Sequence, residues 1–246
     1  MNSSYKVVIP ARYQSSRLPG KPLVKIAGIP MIERTWRQCL KTVPAEDIII
    51  ATDDERIIDH CNSIGAISKM TPESCLTGTD RVAALLEHYD VNYFINVQGD
   101  EPVLNPQDLS DIITETIKGT FDVINGFAPI VTEEEFFSRS VPKVICTNDN
   151  QLMYMSRGPV PANKSGKFVK GWRQICIYSF SRKALELFGS VNGKTPMEEI
   201  EDIEILRFVE LGMPVKMIPM SDQSIAVDNP EDILKVETYL KSIAHV

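Results

Sequence analysis

Short apolar runs rich in β-branched residues alternate with helically spaced stretches through the first half of the chain. Residues 5–10 (YKVVIP) predict a buried strand ended by proline, residues 47–52 (DIIIAT) a second, and residues 92–97 (NYFINV) a third. Between them, 30–40 reads as a helix with proline in its first turn, and 54–63 as a helix with Ile57 and Ile58 facing inward. The stretch 79–89 reads as a helix opened by a Ser/Thr-type cap, and 108–117 as another with Ile112, Ile113 and Thr116 on one face. Strands apolar on both faces and alternating with helices predict an α/β fold, a mostly parallel central sheet flanked by helices. The loops after the three strands then share one edge, where open α/β sheets bind ligands.

The pattern changes after about residue 120. Residues 122–131, 143–147 and 169–181 look like longer strands with few helices between them. They predict a β-rich lobe over 122–181, inserted in the same domain and suited to a subunit interface. Helical spacing returns at 182–188 and 200–211, a strand follows at 215–219, and 230–243 makes a last helix capped by Asn229. No linker or repeat interrupts the chain, so 1–246 is expected to form one domain.

Composition narrows the function classes. With 43% hydrophobic and 24% charged residues, the 246-residue chain is globular in type. Its net charge of −7 argues against broad nucleic-acid or anionic-membrane binding, so an anionic ligand needs a local cluster of Lys and Arg. Only three histidines occur, His60, His88 and His245, which leaves little for a zinc site or a Ser-His-Asp arrangement. The five cysteines show no C-x-x-C pair and read as small buried residues in a reducing compartment. Without a signal-like opening or an apolar run near ~18 residues, a soluble, cytoplasmic protein is expected.

The loop after the first strand, PARYQSSRLPGKPL, gathers Arg12, Arg17 and Lys21 with Ser15, Ser16 and Gly20. Cations and small residues at a strand's C-terminal end suit a polyphosphate, held by backbone N–H groups and cationic side chains. It is not a Walker A loop, since Pro22 follows Lys21. The second constellation, NVQGDEPVL, puts Asp100 on the same edge, beside Gly99, which permits close backbone approach, and Glu101. A carboxylate there suits Mg²⁺ held against phosphates, although Gly-Asp is also a common turn pair. AVDNPEDI places Asp228 before the last helix, where Asn229 and Asp232 could be caps only; its pairing with Asp100 depends on the fold.

The opening loop, TGTDR (77–81), NVQGDEP, YMSR (154–157), IYSFSR (177–182) and VDNPEDI together resemble the CMP-Kdo synthetases, the 3-deoxy-manno-octulosonate cytidylyltransferases. The resemblance runs from about residue 5 to residue 240 in the same order. It implies a Rossmann-like nucleotidyltransferase, usually a homodimer, that uses CTP and Mg²⁺ and transfers CMP to a sugar acid. Its pattern would put Arg12 and Lys21 on the nucleotide's phosphates with Arg17 nearby, Thr77, Gly78, Arg81 and Gln98 towards the nucleoside, and Pro10, Ala11 and Gly99 also at the nucleotide. Lys21, Asp100 and Arg12 would be catalytic, and Asp100 and Asp228 would hold the metal. Arg157, Gln174, Tyr178, Glu204 and Ile205 would lie at the acceptor.

Two acceptor positions depart from the family. Where R/K-H-L-G-I-Y is usual, the chain reads RQICIY, so a histidine is replaced by Gln174; where L-E-Q-L-R is usual, it reads IEILR, so a glutamine is replaced by Ile205. Each lost polar group would leave a substrate hydroxyl unpaired, at roughly 1–3 kcal/mol. The departures point to a related acceptor, such as a modified octulosonate, unless neighbouring residues compensate. Rival readings are a nucleotidyltransferase acting on a sugar phosphate, another ulosonic acid or a phosphonate, and an inactive nucleotide-binding regulator.

Overall fold

The computed structural model describes residues 4–15 and 17–243; Ser16 and His245 lie outside them. In chain order, β1 (Tyr5–Ala11) leads through the basic loop to β2 (Lys25–Ile26), β3 (Ile29–Pro30) and α1 (Met31–Cys39). Next come β4 (Ile48–Thr52), α2 (Glu55–Ile64), β5 (Ile67–Met70), α3 (Gly78–Ala83), β6 (Tyr93–Val97) and α4 (Pro106–Thr116). The second half holds β7 (Val123–Pro129), α5 (Glu133–Phe137), β8 (Lys143–Cys146), β9 (Leu152–Ser156) and β10 (Trp172–Ser181). It closes with α6 (Arg182–Gly189), α7 (Pro196–Glu201), α8 (Leu206–Glu210), β11 (Val215–Pro219) and α9 (Pro230–Ile243).

The main sheet runs β11-β7-β10-β6-β1-β4-β5. Along that path only β10 is antiparallel to its neighbours, β6 and β7. Val7, Val8 and Ile9 of β1 are wholly enclosed on both faces, as its apolar run requires. One face packs on Ile32, Trp36, Ile57, Cys61, Leu109 and Ile112 from α1, α2 and α4. The other packs on Val82, Leu185, Phe188, Leu206 and Phe208 from α3, α6 and α8. From β1 the chain moves outward to β4 and β5, then returns to β1's other side as β6. The ends of β1 and β6 therefore form a topological switch point, where such sheets leave a crevice.

Local chemistry sets several boundaries. The Asp54 carboxylate caps α2 through the N–H of Arg56 at 2.9 Å, and Gly65, at φ 74°, ends it. Ile57 and Cys61, rather than Ile57 and Ile58, supply α2's fully buried positions.

The structure refines one expectation and corrects two. First, the β-rich segment 122–181 builds into the central sheet through β7 and β10, and the β8–β9 pair branches from β10 at Arg173. Second, the expected helix over 79–89 stops at Ala83 and gives way to turns, whose Leu86 and Tyr89 carbonyls accept from Arg182 at 3.1 and 2.5 Å. Third, the expected helix over 200–211 breaks at Asp202, at φ 50°. There Arg157 donates to the carbonyls of Glu201 and Asp202 at 2.6 and 2.9 Å. At the second break a distant arginine takes carbonyls that a continuing helix would use. The edge strand β5 (ISKM) has no strand-like apolar pattern, since Ile67 and Met70 are both exposed.

Candidate functional site

The loop after β1 closes on itself at Gly20, whose N–H donates to the Tyr13 carbonyl at 3.2 Å and whose φ of 67° suits glycine. This turn sends Lys21 back towards the sheet edge. The ammonium of Lys21 donates to Asp100 at 2.7 Å and to Asp228 at 3.1 Å, so the fold joins the two aspartates that sequence left 128 positions apart. Arg17 reaches the same Asp228 oxygen at 2.9 Å. Gly99 lets the ends of β1 and β6 approach, since a Cβ there would lie 2.7 Å from the Pro10 carbonyl oxygen.

These residues line one cleft of about 240 Å³ at the switch point. Pro10, Ala11, Arg12, Arg17, Lys21, Thr77, Gly78, Arg81, Gln98, Gly99, Asp100 and Asp228 all border it. With Arg81 neutralised by Asp53, the three cations Arg12, Arg17 and Lys21 against two carboxylates give an acidic protein a positive pocket. Burial alone would lower the Lys21 pKa, but the charges and hydrogen bonds of Asp100 and Asp228 outweigh it and hold the group above its ordinary value. Lys21 is therefore charged at neutral pH. The guanidinium of Arg81 is buried, donating to Asp53 at 2.7 Å and to the Thr71 hydroxyl at 2.5 Å, so it anchors the cleft wall. Asp53 also accepts from the N–H of Tyr13 at 3.2 Å. It escaped the sequence reading, because a lone Asp after a strand resembles a turn residue.

The donor chemistry fits a hard divalent cation. Asp100 and Asp228 present carboxylate oxygens around a single positive centre, the Lys21 ammonium. Among the described residues no group of three or more His, Cys, Asp or Glu side chains could hold a metal alone. A cation at this pair would thus draw further oxygens from its ligand, as Mg²⁺ does with phosphates.

The residues expected at the acceptor separate. Glu204 touches the cleft wall, accepting from the N–H of Thr79 at 2.8 Å and from Gln98 Nε2 at 3.3 Å. Burial raises its pKa, against the lowering by the Thr79 N–H. Gln174 and Tyr178 lie together on β10, with Gln174 Nε2 donating to the Tyr178 hydroxyl at 3.3 Å and to Asn125 Oδ1 at 3.0 Å. Asn125 in turn donates to the carbonyls of Ile175 and Ile177 at 2.9 and 2.8 Å, across an irregularity in the β7–β10 register. A polar Asn inside an otherwise apolar strand was the signal that could have exposed this network. Arg157 is spent on carbonyls at the end of α7. Ile205 corrects its expectation: it is fully enclosed in the apolar core beside α8, so its side chain lines no polar pocket.

Glu101, next to Asp100, is only 5% exposed and accepts from the Ser224 hydroxyl. Burial, and then the charge of Asp100, push its carboxyl up to about 8. An unfolded glutamate releases its proton near 4.5, so between these values the folded state binds more protons and stability falls as pH rises. Glu101→Gln stays neutral and is expected to remove most of that fall. Melting temperatures from about pH 5 to about pH 9 in metal-free buffer check this; parallel curves for the two proteins would contradict it.

A family model described as cytidylyltransferase matches residues 6–218. The chain is 37% identical over 242 residues to the mitochondrial 3-deoxy-manno-octulosonate cytidylyltransferase of Arabidopsis thaliana, across 95% of this chain and 82% of that protein. It is 36% identical to the 3-deoxy-manno-octulosonate cytidylyltransferase of Myxococcus xanthus, across 96% of both chains. Among solved structures, a CMP:2-keto-3-deoxy-manno-octonic acid synthetase complexed with CTP superposes with a TM-score of 0.89 at 29% identity, covering 98% of this chain and 99% of that one.

Proposed function

The chain belongs to the 3-deoxy-manno-octulosonate cytidylyltransferase family, and from that premise we propose that it transfers CMP from CTP to the anomeric hydroxyl of 3-deoxy-manno-octulosonate (Kdo). The observation that carries this reading is the convergence of Lys21 with Asp100 and Asp228 in a cationic cleft at the switch point. The anomeric oxygen attacks the α-phosphorus of CTP in line, its P–O bond forms as the hydroxyl proton is lost to solvent or a cleft carboxylate, and the bond to the β-phosphate breaks to release pyrophosphate. Positioning and charge neutralisation do most of the work in such transfers.

Arg12, Arg17 and Lys21 hold the triphosphate, with Lys21 offsetting charge that builds on the phosphate oxygens. Thr77, Gly78 and Gln98 form the nucleoside wall. Asp100 and Asp228 would hold Mg²⁺, which supplies Lewis-acid charge stabilisation when bound. The half-buried Glu204, bonded to Thr79 and Gln98, is assigned to the acceptor side of the nucleotide wall together with Gln174 and Tyr178.

The unmodified acceptor is favoured because both departures from the family pattern are answered inside the protein. Gln174 is bonded to Asn125 and Tyr178, and Ile205 is core. A panel of CTP, UTP and GTP with Kdo, other 2-keto sugar acids and sugar phosphates, read by pyrophosphate release, tests this. Highest efficiency with CTP and Kdo is expected; a preference for a modified acid or a sugar phosphate would overturn the acceptor assignment.

The protein is further proposed to act as a homodimer. Among the described residues, β9 is paired along β8 and carries an exposed Met153, a surface suited to cover by a second copy. Light scattering is expected to give about twice 27.6 kDa, and a monomer mass would refute the dimer.

A further inference from the structure

Glu198 and Arg207 are enclosed almost completely, at 0% and 1% exposure, yet neither borders the cleft. Arg207 Nε and Nη2 meet the two oxygens of Glu198 at 2.6 and 2.7 Å. Its Nη1 reaches Asp80 Oδ1 and the Phe188 carbonyl, both at 3.2 Å, while the guanidinium lies 3.6 Å over the Phe188 ring. Burying such a pair is costly, and an apolar residue would often pack as well. What the guanidinium adds is a rigid fork that joins α7 and α8 to Asp80.

Asp80 uses both its oxygens. Oδ1 faces Arg207, and Oδ2 accepts from the N–H and the hydroxyl of Thr77 at 2.8 and 2.7 Å. The Thr77 hydroxyl oxygen accepts in return from the Asp80 N–H at 3.1 Å. This reciprocal cap fixes the turn at Thr77 and Gly78, where the backbone lies so close to Gln98 that a Cβ on Gly78 would be 3.0 Å from its Nε2. Glu204 grips the next residue through the Thr79 N–H. Two side chains three positions apart, Glu204 and Arg207, thus hold one wall of the nucleotide cleft from behind.

We propose that Arg207, acting through Asp80, is a positioning residue for the nucleotide, setting the Thr77–Gly78 backbone without touching a ligand itself. The inference rests on the reading of the cleft as a CTP site and deepens it. The discriminating variant is Asp80→Asn. An amide has one acceptor oxygen, so it can serve Arg207 or Thr77 but not both. The Asp80 side chain is 20% exposed and the Glu198–Arg207 pair is left intact, so the variant keeps its fold.

The expected result is a rise of about tenfold in both the Kd and the KM for CTP, from loss of one charge-assisted link. Turnover at saturating CTP and the KM for Kdo stay within about twofold, and the melting temperature within a few degrees. Thr77→Val, which removes only the hydroxyl, raises the CTP KM in the same sense, and the double variant adds little beyond Asp80→Asn. A merely structural role would lower the melting temperature and leave the CTP KM unchanged. An unchanged CTP KM, or a rise in the Kdo KM in its place, overturns the proposal. Failure of the wild-type protein to bind CTP would instead overturn the reading of the cleft, so the two failures are distinguishable.

Discussion

Replacing Asp100 by Asn is expected to lower kcat by roughly 10²–10³-fold while the melting temperature moves by only a few degrees. The carboxylate ends the loop after β6 at the switch point and is one of two that meet Lys21. An asparagine keeps the shape and one acceptor oxygen, but it loses the charge that a hard cation and the Lys21 ammonium both need. The side chain is 29% exposed and Lys21 keeps Asp228, so little stability depends on it. Raising the Mg²⁺ concentration is expected to restore part of the lost rate. Near-wild-type turnover would remove Asp100 from the reaction, and a collapsed melting temperature would make its role structural.

The second large effect is expected from Lys21→Met, which should lower kcat/KM by about 10³-fold. Methionine fills the space of the aliphatic stem but leaves Asp100, Asp228 and the triphosphate without the ammonium that joins them, so that a bound metal alone would offset their charge. Like charges so placed repel, and the incoming phosphates add to that repulsion. Because Lys21 and Asp100 act as one unit, the double variant should be little worse than the worse single one. Strictly multiplicative losses would mean that the two side chains act separately. The wild-type rate should also keep the Lys21 contribution to a higher pH than an ordinary lysine would allow, since its aspartate partners raise its pKa.

Much of this site is legible in the chain because its parts are local. β1, β4 and β6 are apolar runs whose enclosure on both faces follows from composition, and a parallel sheet with such strands puts their following loops on one edge. The basic loop and Asp100 each follow a strand directly, so placing the strands placed the chemistry. Features decided by distant partners are not legible in the same way. The helix end near Glu201 depends on Arg157, which captures carbonyls from a remote segment. The strand partners of segment 122–181 were not legible, because β7 and β10 pair with β11 and β6 from outside it. Ile205 shows the limit for specificity: its identity departs from the family, and only its enclosure in the core shows that its side chain lines no part of the cleft. Arg207 would pass for a surface arginine until Asp80, 127 positions away, and Glu198 are found beside it.

The most direct measurement is phosphorus NMR of purified protein with CTP, Kdo and Mg²⁺. Transfer of CMP predicts loss of the three CTP resonances, with one new phosphodiester and pyrophosphate appearing in equal amounts, and no change when Kdo is omitted. CTP consumed to CDP and phosphate, or pyrophosphate released without a sugar-linked phosphodiester, would contradict the account.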